Sequence, residues 1–351
     1  MKRWLLPIAA LLAVALLVLT FVNASWLAPT PRGRVQLIAH RGVYQAFDHR
    51  GVTATSCTAT RIEPPYHPFL ENTLGSLERA KSLGAAMVEL DVAPTKDGHL
   101  VVFHDWTLDC RTNGHGETRE HTLAEIKALD AGYGYTADGG KTYPFRGKGV
   151  GMIPTLEEYL QIAGSKPLLF NFKSRDPAEA DELAAALKAA GRDPEAIGDG
   201  FYGGPEAGPV ARMRRIYPRA WVFSTERAKA CSKAYAIEGW LGVVPAACRN
   251  GTLLVPLDYQ WLMPGWPNRT IARMEAAHAR ILMVGPQRGK GRPAGVDLPE
   301  QLGDVPDSFN GYLMVDDLWN VAPALYPSLD HRSPDQQDAA DKALARRRAM
   351  R

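Results

Sequence analysis

The sequence predicts an α/β fold: a closed (β/α)8 barrel with helices outside and a hydrophobic helix at its N-terminus. Three observations predict it. About eight short apolar runs alternate with helical stretches from Val35 to Leu325, the pattern of parallel strands joined by helical crossovers. No G-x-G-x-x-G follows the first run, which disfavours a doubly wound dinucleotide-binding sheet. Polar residues at His40-Arg41, Glu89/Asp91 and Asn171/Lys173 fall at or near the C-terminal ends of predicted strands, where a barrel gathers its active site.

The 351 residues, 46% hydrophobic and 23% charged, are enough for one large domain with a full core. A net charge of +3, with no basic stripe interleaved with aromatics, argues against a nucleic-acid partner. Met-Lys-Arg precedes an uncharged run, Trp4–Val22. Its length is near the minimum of ~18 residues for a membrane span and exceeds a usual signal-peptide core. Val22-Asn23-Ala24 nevertheless offers a cleavage site. The expected organisation is therefore a signal anchor or signal peptide plus linker at 1–29, the barrel at 30–330 and a charged tail at 331–351.

Lys2 and Arg3 should stay cytoplasmic, so the rest is expected to be exported. It would face the periplasm from the inner membrane, or be periplasmic or secreted if the leader is cut. Export makes the four cysteines disulfide candidates. Cys231 and Cys248 flank a short segment, and their pairing would leave Cys57 with Cys110. Three connectivities are formally possible, and no C-x-x-C suggests a metal.

Val35–Ala39 reads as a buried strand ending in His40-Arg41-Gly42. Val43–Leu70 is too long for a routine connection. Glu71-Asn72-Thr73 leads into a helix over Leu74–Leu83, with Asn72 or Thr73 as N-cap and Gly84 as its end. The strand carrying Glu89 and Asp91 is followed by a hairpin-like run, Gly98–His104. Asp105–Gly151 is glycine-rich, with one short helix at Leu123–Leu129, and Pro154-Thr155 opens a helix over Leu156–Ile162. Pro167–Lys173 is a strand and Pro177–Ala190 a helix. Further strands are predicted at Gly200–Tyr202, Ala220–Phe223, Thr252–Pro256, Ile281–Val284 and Gly311–Val315. Helices are predicted at Val210–Ile216, Glu226–Ile237, Arg269–Ala279, Leu298–Leu302 and Leu318–Leu325. The tail from Asp330 is expected to be a frayed helix or disordered.

Side chains alternate along a strand, so Glu89 and Asp91 share one face while Val88, Leu90 and Val92 share the other. Two buried carboxylates side by side call for positive charge between them, and a hard divalent cation suits their oxygens. Leu169, Asn171 and Lys173 also share a face. An inward Lys173 could neutralise Glu89 or Asp91, or bind an anionic group such as phosphate. Arg41 offers a fork suited to phosphate. Together His40 and His104 form an acid–base pair for cleaving an ester. Glu71 could favour a helix dipole, reach the metal or orient Arg41. The other histidines, His49 and His67 among them, are read as solvated. Trp261–Trp266 is apolar for a loop, either through packing or as a wall for a lipid-derived group.

The ordered set His40-Arg41-Gly42, Glu71-Asn72-Thr73, Glu89-x-Asp91 and His104-Asp105, with Asp97-Gly98 before the hairpin and Thr107-Leu108 after His104, resembles the glycerophosphodiester phosphodiesterase family. The resemblance runs from Val35 to the last strand and is strongest up to about Gly116. It implies hydrolysis of glycerophosphodiesters to an alcohol and glycerol 3-phosphate. It also implies one divalent cation on Glu89 and Asp91, acid–base work by His40 and His104, and phosphate held by Arg41 and Lys173. The family's neighbouring glycerol hydroxyl attacks phosphorus first, and water opens the cyclic product. Where the family carries Glu-x-Lys, this chain has Asn171-Phe172-Lys173. Asn171 can still offer a carbonyl oxygen as third ligand, with less negative charge. Oxygen-only ligands argue for Ca2+ or Mg2+ over zinc. The late Trp-Thr-Val-Asn pattern is absent, Leu282-Met283-Val284-Gly285 standing in its place. Two other activities fit the same barrel: phospholipase D-like cleavage of intact lipid headgroups, and silent binding of a phosphorylated ligand at the membrane.

Overall fold

The computed structural model describes residues 2–53, 55–288 and 294–349, with side chains from Pro7 onward. Among the described residues nine strands form: β1 (Gln36–Ala39), β2 (Met87–Pro94), β3 (Leu100–Val102), β4 (Leu168–Phe172), β5 (Gly200–Gly203), β6 (Trp221–Ser224), β7 (Thr252–Pro256), β8 (Arg280–Val284) and β9 (Tyr312–Val315). Eight run parallel in the order β6-β5-β4-β2-β1-β9-β8-β7, and β3 pairs antiparallel with β2. The barrel is nearly closed. At the seam between β6 and β7, the Trp221 indole N–H donates to Thr252 Oγ1 at 2.9 Å.

The alternation predicted for β2 is realised. Val88, Leu90 and Val92 face the outer core, packed with helix residues such as Leu77, Leu160 and Leu183. Met87 points inward, where it joins Ile38, Leu169, Trp221, Leu282 and Met314 as the apolar floor of the barrel. Above that floor the inward positions turn polar, at Glu89, Asp91, Asn171 and Tyr202. Register puts Asp91 level with Asn171, and Asn171 level with Tyr202. The barrel is therefore filled by apolar side chains below and opens into a charged layer at its C-terminal end.

Helix starts follow the capping residues. Thr73 caps the helix Leu74–Ser82, and Thr155 with Glu158 forms a capping box on Leu156–Ala163. The helix expected at Leu298–Leu302 is only a 3-10 turn, Pro299–Asp304. Both disulfides pair as the spacing suggested, Cys57 with Cys110 and Cys231 with Cys248. In the apolar loop, Trp266 packs on Phe309 and donates to Gln260 Oε1 at 2.8 Å, while Trp261 is exposed.

Two expectations need correction, and a third, the membrane span, is not supported among the described residues. The charged tail is ordered over Pro334–Ala349, because one of its arginines is buried. Arg347 donates to Glu63 Oε1 at 2.8 Å and to Asp317 Oδ2 at 2.9 Å, fastening the long 43–70 connection to the end of β9. At the N-terminus Lys2–Val22 is helical, but among the described residues no helix is long and apolar enough to cross a membrane. Finally, His67 is buried rather than solvated.

The His67 ring is a buried acceptor. Its Nδ1 takes Gln45 Nε2–H at 3.1 Å and Phe69 N–H at 3.3 Å, so the neutral ring carries its proton on Nε2. Burial lowers its pKa to about 4. The unfolded chain binds this proton from about pH 6.5 and the folded chain does not, so the contribution is whole above pH 6.5 and is lost as pH falls towards 4. The expected loss is about 3 kcal/mol. Urea unfolding across that window should show the slope, and His67→Phe should flatten it.

Candidate active site

The β1–β2 and β2–β4 ladders set the frame: Ala39 pairs with Val88, and Asp91 with Asn171. His40 and Arg41 leave β1 beside Glu89, and the Arg41 amide N–H donates to Glu89 Oε2 at 2.9 Å. Arg41 has φ 57° and Asn72 has φ 59°, a left-handed conformation that is uncommon outside glycine and gathers at functional sites. Gly42 follows of necessity. It too is left-handed, and a Cβ there would lie 2.2 Å from Ser76 Oγ. The same hydroxyl accepts the Val43 N–H at 2.8 Å, stapling the turn to the next helix.

Glu89 and Asp91 are fully buried. The Tyr202 hydroxyl donates to Glu89 Oε1 at 2.6 Å. Asp91 accepts Asn72 Nδ2 at 2.9 Å, Asn171 Nδ2 at 2.8 Å and Lys173 Nζ at 3.0 Å. Burial and the neighbouring Asp91 raise the pKa of Glu89. For Asp91, burial is outweighed by Lys173 and the other positive groups, and its pKa lies well below the usual range.

His40 and His104 are built alike. Each Nδ1 lies 2.7 Å from a carboxylate, Asp316 for His40 and Asp105 for His104. A carboxylate only accepts, so each Nδ1 carries the proton and each Nε2 is left for chemistry. His40 Nε2 lies 4.0 Å from Glu89 Oε2. His104 follows the hairpin strand β3, where the Phe103 N–H donates to the Asp91 carbonyl at 3.0 Å and brings the ring to the same layer. Burial and Arg41 oppose protonation of His40, but Asp316 prevails and its pKa rises. Burial, then Arg41 and Lys173, lower that of His104 to about 4.

Glu71 orients Arg41, accepting Nη1 at 3.0 Å, and it also pairs with Arg111 at 3.1 Å. Arg111 lies 3.3 Å from Asp105 and donates to Thr58 Oγ1 at 2.8 Å. All eight residues singled out in the sequence, His40, Arg41, Glu71, Glu89, Asp91, His104, Asn171 and Lys173, thus fall in one connected network. Five partners were not given roles: Asn72, Asp105, Arg111, Tyr202 and Asp316. Asp316 had a legible signal, because it directly follows the last strand. Tyr202 sat on an inward strand position, but its target is set only by barrel closure.

Among the described residues, no group of three or more His, Cys, Asp and Glu side chains is placed to hold a metal. The ligands expected from the sequence are two carboxylates, Glu89 and Asp91, and the amide of Asn171, whose Nδ2 donates to Asp91 Oδ1 at 2.8 Å. Two desolvated carboxylates, one of them driven towards protonation by the other, nevertheless suit a hard cation.

Fold and site together define a nearly closed parallel barrel whose charged C-terminal end holds two carboxylate-backed histidines beside Arg41 and Lys173. The model of the Glycerophosphoryl diester phosphodiesterase family matches residues 49–238, more than half of the chain, and the chain belongs to that family. A glycerophosphodiester phosphodiesterase of Caldanaerobacter subterraneus subsp. tengcongensis is 44% identical over 123 residues, 34% of this chain and 47% of the relative. One from Bacillus subtilis is 42% identical over 124 residues, 34% of this chain and 41% of the relative. The chain thus spans just under half the length of these relatives. The glycerophosphoryl diester phosphodiesterase domain of a Mycobacterium tuberculosis protein shares the fold with a TM-score of 0.59 at 17% identity, over 84% of this chain and 99% of that one. An Oleispira antarctica phosphodiesterase in complex with the product sn-glycerol-3-phosphate shares it with a TM-score of 0.52 at 20% identity, over 84% and 97%.

Proposed function

We propose that this chain hydrolyses glycerophosphodiesters to an alcohol and glycerol 3-phosphate outside the cytoplasm. The observation that carries this is the pair of histidines, each with Nδ1 held at 2.7 Å by a carboxylate, joined through Glu89, Asp91 and Arg41 into one site. One Nε2 takes the proton of the attacking glycerol hydroxyl and the other gives a proton to the leaving alcohol oxygen; water then opens the cyclic phosphate to glycerol 3-phosphate with the two roles reversed. Arg41 and Lys173 bind the phosphate oxygens and orient the ester, with Glu71 fixing the Arg41 fork. Glu89, Asp91 and the Asn171 carbonyl oxygen would hold one Ca2+ or Mg2+. Such an ion supplies charge neutralisation at the phosphoryl group. Two disulfides fit an oxidising compartment, which supports export.

The test is alcohol and glycerol 3-phosphate release from glycerophosphocholine and glycerophosphoethanolamine, with and without chelator. Turnover of intact phosphatidylcholine in preference to both would point to phospholipase D-like cleavage instead. Absence of turnover on every diester would leave a binding barrel. Asn171→Glu restores the missing charge, so the cation concentration for half-maximal activity should fall several-fold. Isothermal titration with Ca2+ and Mg2+ would check this separately from turnover.

A further inference from the structure

Exposed large apolar side chains are concentrated at one end of this protein. Among the described residues twenty are exposed, and fourteen belong to the N-terminal helix or to the surface at its foot. Eight lie on the helix Lys2–Val22 between Ile8 and Phe21. The other six are Trp26, Leu27, Ile237, Trp240, Leu241 and Val243.

These six form a collar at the foot of the helix. Asn23 Nδ2 donates to the Trp240 carbonyl at 2.8 Å. Arg273 donates to the Val22 carbonyl at 2.9 Å, and Asn268 N–H donates to Ser25 Oγ at 2.9 Å. The helix end and the turn carrying Trp26 are thus bonded to the barrel, and the collar is fixed in place. Its chemistry is specific. Two exposed indoles beside aliphatic side chains suit the boundary between headgroups and acyl chains, where an amphipathic ring meets both media. Lys229 and Lys233 precede Ile237 at four-residue spacing on one helix, so the three share a face. Both lysines are exposed, and neither is in an ion pair among the described residues. Arg269 and Arg273 line the cleft beside Val22, and the exposed Glu238 is the acidic neighbour on the Ile237 helix. The balance is basic and fits anionic headgroups.

We propose that this end of the protein docks on an anionic lipid surface, the Trp26–Trp240 collar lying at headgroup level and the N-terminal helix dipping into the acyl region. The collar is then a second lipid contact beyond the helix, and it fixes the attitude of the barrel on the bilayer.

The experiment uses the full chain and vesicles of phosphatidylethanolamine with phosphatidylglycerol, read by co-sedimentation. The Trp26→Ser/Trp240→Ser/Leu241→Ser variant should bind roughly tenfold more weakly while keeping its thermal transition. Lys229→Gln/Lys233→Gln should lose several-fold on these vesicles and nothing on vesicles lacking phosphatidylglycerol. Wild-type partitioning by the collar variant would overturn the proposal. So would a wild-type chain that ignores vesicles but forms a dimer in solution which the collar variant abolishes, because the collar would then cover a second copy.

Discussion

Replacing His40 or His104 by alanine should lower kcat on glycerophosphocholine by about 10²–10⁴, with KM little changed, because each removes one proton transfer. Asp316→Asn and Asp105→Asn should follow the histidine they face. An asparagine can offer its NH2 to the ring and favour the wrong tautomer, so a loss of about 10–100-fold is expected from each. The informative comparison is the double variant. Asp316→Asn in a His40→Ala background should cost almost nothing more, whereas Asp316→Asn with Asp105→Asn should show both losses. Turnover at the wild-type level in either alanine variant would sink the assigned roles. Equal additivity across all pairs would mean that the carboxylates act on the fold rather than on the rings.

Much of this site was legible because strands expose a period of two. Glu89 with Asp91, and Asn171 with Lys173, break an apolar run on one face only, and that alone points them inward. What the period cannot give is which side chain meets which. Lys173 had two readings, and the structure puts its ammonium 3.0 Å from Asp91 Oδ1. Glu71 had three, and its bond to Arg41 selects one. Long-range partners such as Asp316, 276 residues from His40, depend on β9 pairing with β1 as the barrel closes. The charged tail is a firm helix, and not a frayed or disordered one, for a related reason. Its arginines look like a solvated run until Glu63 and Asp317, both far away in sequence, are found around Arg347. His67 reads as solvated from a loop of polar composition, whereas Gln45 and Trp319 enclose it.

Arg111→Ala should be the most damaging change outside the histidines. Arg111 is 2% exposed and bridges Glu71 at 3.1 Å and Asp105 at 3.3 Å. Removing it leaves the buried Glu71 with Arg41 alone and the half-buried Asp105 without its cation, at a cost of about 3 kcal/mol. It should also reduce kcat by about 10–100-fold, because Glu71 orients Arg41 and Asp105 orients His104. Arg111→Lys supplies one charge but not the fork, so stability should recover further than kcat.

The Cys57–Cys110 bridge bears on the same arginine. Cys110 precedes Arg111, and Cys57 precedes Thr58, which accepts the Arg111 guanidinium at 2.8 Å. With a sequence separation of 53, loss of this bridge should cost about 4 kcal/mol in the chain-entropy account. The second bridge, Cys231–Cys248, has a separation of 17 and should cost about 3 kcal/mol. The two double serine variants are thus similar in stability cost and opposite in expected function. Cys57→Ser/Cys110→Ser should lose kcat as Arg111→Lys does, while Cys231→Ser/Cys248→Ser should keep it at temperatures where both remain folded. Unfolding curves beside turnover on glycerophosphocholine would separate the two. Equal loss of kcat in both variants would mean that general stability, and not the bridge beside Arg111, sets the geometry of the site.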